Sequence, residues 1–278
     1  MTDHRDRVAL VTGASSGIGL LTAVTLARRP FTVIATMRDL GRSEALVRAA
    51  EQAGVEVELA ALDVTSDDSV ARCTTGILQR HGRIDVVVNN AGISQTGTLE
   101  ELSIADMQRV LDVNCLGVAR VTKAVLPAMR AAGRGHLIAV SSIAGVFGQP
   151  FNEAYCAAKF ALEGMYEALA PVAAAFGISV SLVEAGMVAT GFYERSGAGL
   201  PVPGPYAELR ERFARTADAA SQQGQAADEV AETIAEVATE QDPRLRYQTS
   251  PEVSRLLARK LADLDGEATQ RLTRRWLA

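Results

Sequence analysis

Between Arg7 and Arg29 the chain runs strand, glycine-rich turn and helix with nothing inserted. Arg7-Val8-Ala9-Leu10-Val11-Thr12 is a short apolar run rich in β-branched residues, bounded by charge before it and glycine after it, which reads as a buried strand. Gly13-Ala14-Ser15-Ser16-Gly17-Ile18-Gly19 follows, then a helix-compatible stretch from Leu20 to Arg29. That succession is the context a dinucleotide-binding turn needs. Gly13 permits a tight turn, Gly17 lets the backbone approach a pyrophosphate, and Gly19 allows close helix packing, while the helix N-terminus offers free N–H groups and partial positive charge. The spacing G-x-x-x-G-x-G departs from G-x-G-x-x-G, and the same glycines also suit an ordinary strand-to-helix turn.

The pattern then repeats down the chain. Phe31 to Thr36, Val55 to Leu62, Ile84 to Val88, Gly135 to Ser141 and Ile178 to Glu184 read as buried strands. Helical segments such as Ser66 to His81, Ile104 to Ala131 and Asn152 to Phe176 separate them. Regular alternation of this kind predicts an α/β fold, a Rossmann-type doubly wound parallel sheet flanked by helices on both faces. Ligands in such sheets bind at the carboxyl ends of the strands. Gly13, Arg38, Asp63, Asn89 and Ser142 all fall at those ends. No repeat or low-complexity linker interrupts the run, so residues 1–278 read as a single domain.

Tyr155 and Lys159 stand four apart, and Ser142 lies thirteen positions before the tyrosine. On a helix the phenol and the ammonium project from one face a turn apart. A free tyrosine titrates near ~10, and a fixed positive charge nearby favours its ionised form. Tyr155 can then exchange a proton near neutrality, with Ser142 available to hydrogen-bond the oxygen of a reacting carbonyl. Tyrosine and lysine at this spacing are also common on helices that do no chemistry.

Charge and composition narrow the partners. Net charge is −5 with scattered basic residues, which disfavours a nucleic-acid groove or an anionic membrane surface. Residues Met1 to Asp6 are polar, and no apolar run reaches the ~20 residues that span a bilayer, so the expected location is the cytoplasm with no membrane span. Cys73, Cys115 and Cys156 are odd in number and unpaired in spacing, and His4, His81 and His136 form no ligand cluster, so neither disulfides nor a metal are expected.

The chain resembles the short-chain dehydrogenase/reductase family. The matching stretches are Thr12 to Gly19, Asp63-Val64, Asn89-Asn90-Ala91-Gly92, Asn114, Ser141-Ser142 and Tyr155 to Lys159. Ala35 to Leu40, Pro150 to Tyr155, Phe160 to Gly164 and Leu245-Arg246-Tyr247 are similar to the branch holding 17β-hydroxysteroid dehydrogenase type 1 and the retinol dehydrogenases. The resemblance implies Tyr155 as general acid or base, Lys159 as the group that lowers its pKa and binds the nicotinamide ribose, and Ser142 as the carbonyl anchor. Asn114 would help hold a proton-relaying water, with a helix-capping role as the alternative. Ser141 in place of Ser142 is the other alternative, since neighbours at a strand end face opposite sides.

For the cofactor the resemblance implies contacts from Gly13, Ser15, Ser16, Gly17, Ile18 and Gly19. It adds Asp63 and Val64 at the adenine, Asn90, Ala91 and Gly92 beneath the adenosine, and Val188 and Thr190 at the carboxamide. Asp63 competes with a helix-capping role that Ser66 fills equally well. Met37 occupies the position where an acid would select NAD(H), and Arg38 follows it. A planar, permanent cation there suits a 2′-phosphate, so NADP(H) is expected, with Ser16 as a second phosphate contact. If the strand runs one or two residues further, Asp39 reaches the ribose and favours NAD(H).

Residues 191–225 read as a substrate lid, opening with a glycine- and proline-rich loop to about 206. Phe192, Tyr193, Leu200 and Tyr206 are its apolar candidates, or merely its anchors. No histidine follows His136, which disfavours an oestrogen-type pocket, and Ala185-Gly186 replaces the family's Pro-Gly. Helix-compatible stretches follow at Ala207 to Ala220 and Asp228 to Glu240, then an edge strand near Arg244 to Tyr247 and one or two helices from Ser250 to Trp276. The expected partners are a small hydrophobic alcohol or carbonyl compound and further copies of the chain, as a homodimer or homotetramer. The expected activity is hydride transfer with NADP(H). A non-catalytic NADP(H)-sensing regulator is the alternative.

Overall fold

β1 (Arg7–Val11) sits between two parallel neighbours, β2 (Phe31–Met37) and β4 (Val86–Asn89). β3 (Glu58–Ala61), β5 (Gly135–Ser142), β6 (Ile178–Ala185) and β7 (Arg246–Gln248) complete a parallel sheet in the order β3-β2-β1-β4-β5-β6-β7. The computed structural model describes residues 7–192, 196–197, 203–222 and 224–277. The chain steps outward from β1 to β3, then crosses back to lay β4 on the other side of β1. That reversal opens a crevice at the carboxyl ends of β1 and β4, the place where open α/β sheets take their ligands.

The helices are α1 (Gly17–Ala27), α2 (Glu44–Ala53), α3 (Asp67–His81), α4 (Ile104–Leu111), α5 (Gly117–Ala132) and α6 (Glu153–Ala174). α7 (Ala207–Gln222), α8 (Ala227–Thr239), α9 (Pro251–Leu261) and α10 (Glu267–Arg274) follow. Successive strand residues point to opposite faces. Thus Ala9, Val11, Val33, Val86 and Val88 join Val24 of α1 and Ile234 of α8 in one core. Val8, Leu10, Ile34, Val87 and Leu137 join Val121 of α5 and Leu162 of α6 in the other. Each of these valines, leucines and isoleucines contributes roughly 1.5–3 kcal/mol by leaving water. No helix among the described residues is long and apolar enough to cross a membrane.

Three local expectations change. The run from Val55 to Leu62 is an exposed edge strand of four residues, because β3 pairs on one side only and solvates Glu58 and Leu59. The continuous helix read from Ile104 to Ala131 is broken by a π turn at Asp112–Leu116, where the Gly117 N–H reaches back to the Asp112 carbonyl. β7 begins at Arg246, two residues later than read. The C-terminal stretch after Ser250 resolves into α9, α10 and a 3₁₀ turn at Arg275–Leu277.

Candidate active site

A cavity of about 720 Å³ opens at the carboxyl ends of β1, β4 and β5. Gly13, Ser15, Ser16, Gly17, Ile18, Gly19, Arg38, Asp63, Val64, Asn90, Ala91, Gly92, Val188 and Thr190 all line it. So do Ser142, Tyr155 and Lys159. Of the residues expected to act on the cofactor or the reacting oxygen, Asn114 stays out of its wall.

The glycine turn is shaped by close approach. A Cβ on Gly13 would lie 2.7 Å from the Ala91 Cα, and one on Gly19 would lie 2.3 Å from the Asn90 amide nitrogen. Asn90 in turn donates to the Thr12 carbonyl at 2.9 Å and the Gly13 carbonyl at 3.2 Å, stitching the end of β4 to the turn. Ser16 precedes α1 in extended backbone but makes no side-chain cap, and the first turn of α1 carries no acid. The helix therefore presents uncapped N–H groups and its positive end to the cavity, a combination that fits the pyrophosphate of a dinucleotide.

Beside α1, β2 runs one residue further than expected, to Met37, which is buried; this is the extension under which Asp39 is expected to favour NAD(H). Arg38 and Arg42 both line the cavity there, Arg42 being a cation that the sequence reading missed. Asp39 also lines it, but its carboxylate accepts the Gly41 N–H at 2.9 Å and so caps the 3₁₀ turn Leu40–Arg42. Asp63 accepts from the Thr65 N–H at 2.9 Å and the Thr65 hydroxyl at 2.7 Å, while Ser66 caps α3. Burial pushes the Asp63 carboxyl up, but those Thr65 bonds together with Arg38 and Arg120 hold it below its ordinary value.

At the other end the two serines of β5 part company. Ser141 donates to Glu163 at 2.5 Å, whereas Ser142 lies beside Tyr155 and accepts the Ala144 N–H at 3.1 Å. Ser142 is therefore the serine available to a substrate. Burial raises the Tyr155 phenol above its ordinary value, and the Ser142 hydroxyl pulls it back. Lys159 donates to the Val140 carbonyl at 2.7 Å, with its ammonium 5.6 Å from the centre of the Tyr155 ring. Burial lowers the lysine to about 8, against the attraction of Glu163 and Cys115.

The apolar wall is contributed from four distant parts of the chain. The Phe192 ring lies 5.7 Å from Tyr155. Phe151, held at φ 56°, packs on Phe213 of α7 at 5.5 Å, and Trp276 closes the far side against Phe147 at 5.6 Å. Gln149 and Asn152 add the polar edge, joined by a 2.8 Å hydrogen bond. None of Phe151, Phe213, Trp276 or Gln149 was singled out as a site residue from sequence. Tyr206 anchors instead of lining, its hydroxyl bonding Glu100 at 2.6 Å beside the ion pair of buried Arg210 with Glu101. Tyr193 and Leu200 lie outside the described residues.

Comparison with known proteins agrees with this architecture. The family model described as short chain dehydrogenase matches residues 7–200. The chain is 43% identical to human retinol dehydrogenase 8, covering 98% of this chain and 90% of the relative. It is 38% identical to human 17-beta-hydroxysteroid dehydrogenase type 1, covering 93% and 82%. The structure of a short-chain dehydrogenase from Streptomyces avermitilis superposes with a TM-score of 0.81 at 31% identity, over 99% of each chain.

Proposed function

The chain belongs to the short-chain dehydrogenase family, and from that premise we propose that it transfers a hydride between NADP(H) and a hydrophobic secondary alcohol or ketone. The observation that carries this reading is the meeting of Ser142, Tyr155 and Lys159 on one wall of a cavity whose far end holds Arg38 and Arg42. Two guanidinium groups beside the uncapped N-terminus of α1 suit a nucleotide bearing an additional phosphate. The bound nicotinamide supplies or takes the hydride.

The protein's own groups handle the oxygen and its proton. Ser142 donates a hydrogen bond to the substrate oxygen and fixes it against Tyr155. Burial keeps the phenol protonated, so it stands ready to give its proton to that oxygen as the neighbouring carbon is reduced. Once the proton has left, the Lys159 ammonium stabilises the phenolate that remains. In the oxidative direction the same groups act in reverse. Phe151, Phe192, Phe213 and Trp276 exclude water and favour an apolar substrate of the steroid, retinoid or fatty-ketone kind. Leu116 of the π turn and Phe160 of α6, respectively 51% and 44% exposed, support a homodimer or homotetramer built across those helices.

Purified protein mixed with NADPH and a panel of steroid ketones, retinal, quinones and long-chain ketones tests the reading. NADPH absorbance falls with at least one of them. Failure of every compound with both NADPH and NADH overturns the assignment.

A further inference from the structure

Beside Lys159 lies a group of buried charges that the reaction leaves unused. Glu163 is one turn further along α6, and both residues are only 5% exposed. Ser141 donates to one oxygen of Glu163 at 2.5 Å and Arg246 of β7 reaches the other at 3.2 Å. Gly145 packs so closely over it that a Cβ there would lie 2.9 Å from the Glu163 Cγ. None of Glu163, Glu184 or Arg246 lines the cavity.

The lysine, by contrast, is poorly supported. Its one hydrogen bond among the described residues goes to a neutral acceptor, the Val140 carbonyl, and no carboxylate forms a direct ion pair with it. A buried ammonium with so little compensation is costly and tends to shed its proton. An opposite charge fixed one helical turn away is the remedy this fold contains.

We propose that Glu163 is a positioning residue for the reaction: anchored by Ser141 and Arg246, its carboxylate keeps Lys159 a cation beside Tyr155. The functional consequence rests on the catalytic reading of Lys159, whereas the electrostatic core does not. Lys159 also faces Tyr155 on its own helix and Cys115 of the π turn. Glu163 is faced by Arg246 on β7 and by Glu184 on β6, which Arg246 meets at 3.3 Å and Gln248 at 2.6 Å. Arg246 also reaches Glu167 on α6 at 2.6 Å, near solvent. Burial holds the Glu163 carboxyl above its ordinary value, and Ser141, Arg246 and Lys159 oppose that rise without cancelling it.

The chain has three lysines, Lys123, Lys159 and Lys260. NMR of protein carrying 13Cε-labelled lysine therefore gives three resonances, and the one lost in Lys159→Arg is assigned directly, without substrate or nucleotide. In the unsubstituted protein the expected midpoint of this signal is about 8. Glu163→Gln keeps an acceptor for Ser141 but removes the charge, and the midpoint falls by about one unit or more. Glu163→Asp, which retains the charge, restores most of that fall. A midpoint unchanged in a folded Glu163→Gln overturns the proposal. Should that variant not fold, Glu163→Met, apolar and of similar length, replaces it: the charge is again removed, and the Lys159 midpoint must again fall, an unchanged value being the overturning result.

Activity separates this from the catalytic reading. In Glu163→Gln the alkaline limb of kcat/KM for carbonyl reduction moves to lower pH with the lysine midpoint, whereas a merely structural defect lowers the rate equally at all pH. A shifted lysine with an unmoved limb supports the electrostatic proposal and removes Lys159 from catalysis.

Discussion

Asn114 closes on Ile93 at both ends of its amide, donating to the carbonyl at 2.7 Å and accepting the N–H at 2.8 Å. The residue is completely buried in the π turn, and the backbone it grips builds the cavity wall from Gly92 to Ser94. Its carboxamide is thus committed to holding that wall. π turns of this kind recur at functional sites.

Asn114→Ala strands the N–H and carbonyl of Ile93 in a half-buried place. Each unsatisfied group costs about 1–3 kcal/mol when buried, and less where water reaches it, so this half-buried pair costs the variant about 2–4 kcal/mol of stability. Urea unfolding measures it. A loss under about 1 kcal/mol rules out the clamp.

Tyr155→Phe removes the hydroxyl that faces Ser142 and leaves the ring against Phe192. Positioned proton transfer contributes about 10²–10⁴-fold, so kcat falls by that factor while NADPH binding by fluorescence stays within about threefold. Ser142→Ala lowers kcat by about 10²–10³-fold, the usual effect of losing one oxyanion donor. Undiminished turnover in the phenylalanine variant assigns the proton donor elsewhere.

Arg38 and Arg42 are exposed on the cavity rim after β2, while Asp39 between them is tied to the Gly41 N–H. A charge-assisted bond to phosphate contributes about 1.5–3 kcal/mol, less at an exposed site. Arg38→Ala and Arg42→Ala each raise KM for NADPH about tenfold and leave KM for NADH within about twofold, by steady-state kinetics. Equal effects on both nucleotides in Arg38→Ala refute a phosphate contact.

Much of this was legible in the chain because it rests on local signals. The Gly13 to Gly19 turn, the apolar strands and the Tyr155–Lys159 spacing each need only a few neighbouring residues to be read. What separates Ser141 from Ser142 is tertiary: Glu163, twenty-two positions on, claims the first hydroxyl. The π turn has no compositional signature, since one extra residue in a helical turn leaves the apolar pattern of Ile104 to Ala131 almost intact. Phe151, Phe213 and Trp276 converge from three separate segments, so no window of sequence contains the pocket they make. The edge position of β3 was visible in principle, for Glu56 and Glu58 interrupt the apolar run with charges that a central strand would exclude.

The last expectation concerns stability and acid. His136 of β5 is 5% exposed and bonds the Ser181 hydroxyl at 2.9 Å. Burial, aided by the charge of Arg7, lowers its pKa from 6.5 to about 3. The folded state therefore keeps the ring neutral where the unfolded chain protonates it. Below the unfolded value the unfolded state binds the extra proton, so stability falls as pH drops from 6.5 towards 3 and is flat above that window. The slope from this one group approaches about 1.4 kcal/mol per pH unit. His136→Gln keeps a hydrogen-bonding partner for Ser181 but cannot titrate. Urea unfolding of both proteins at pH 7.5, 6 and 5 should show the gap between them closing or reversing in favour of the variant as pH falls. Parallel losses in the two proteins would place the acid sensitivity in the paired carboxylates instead.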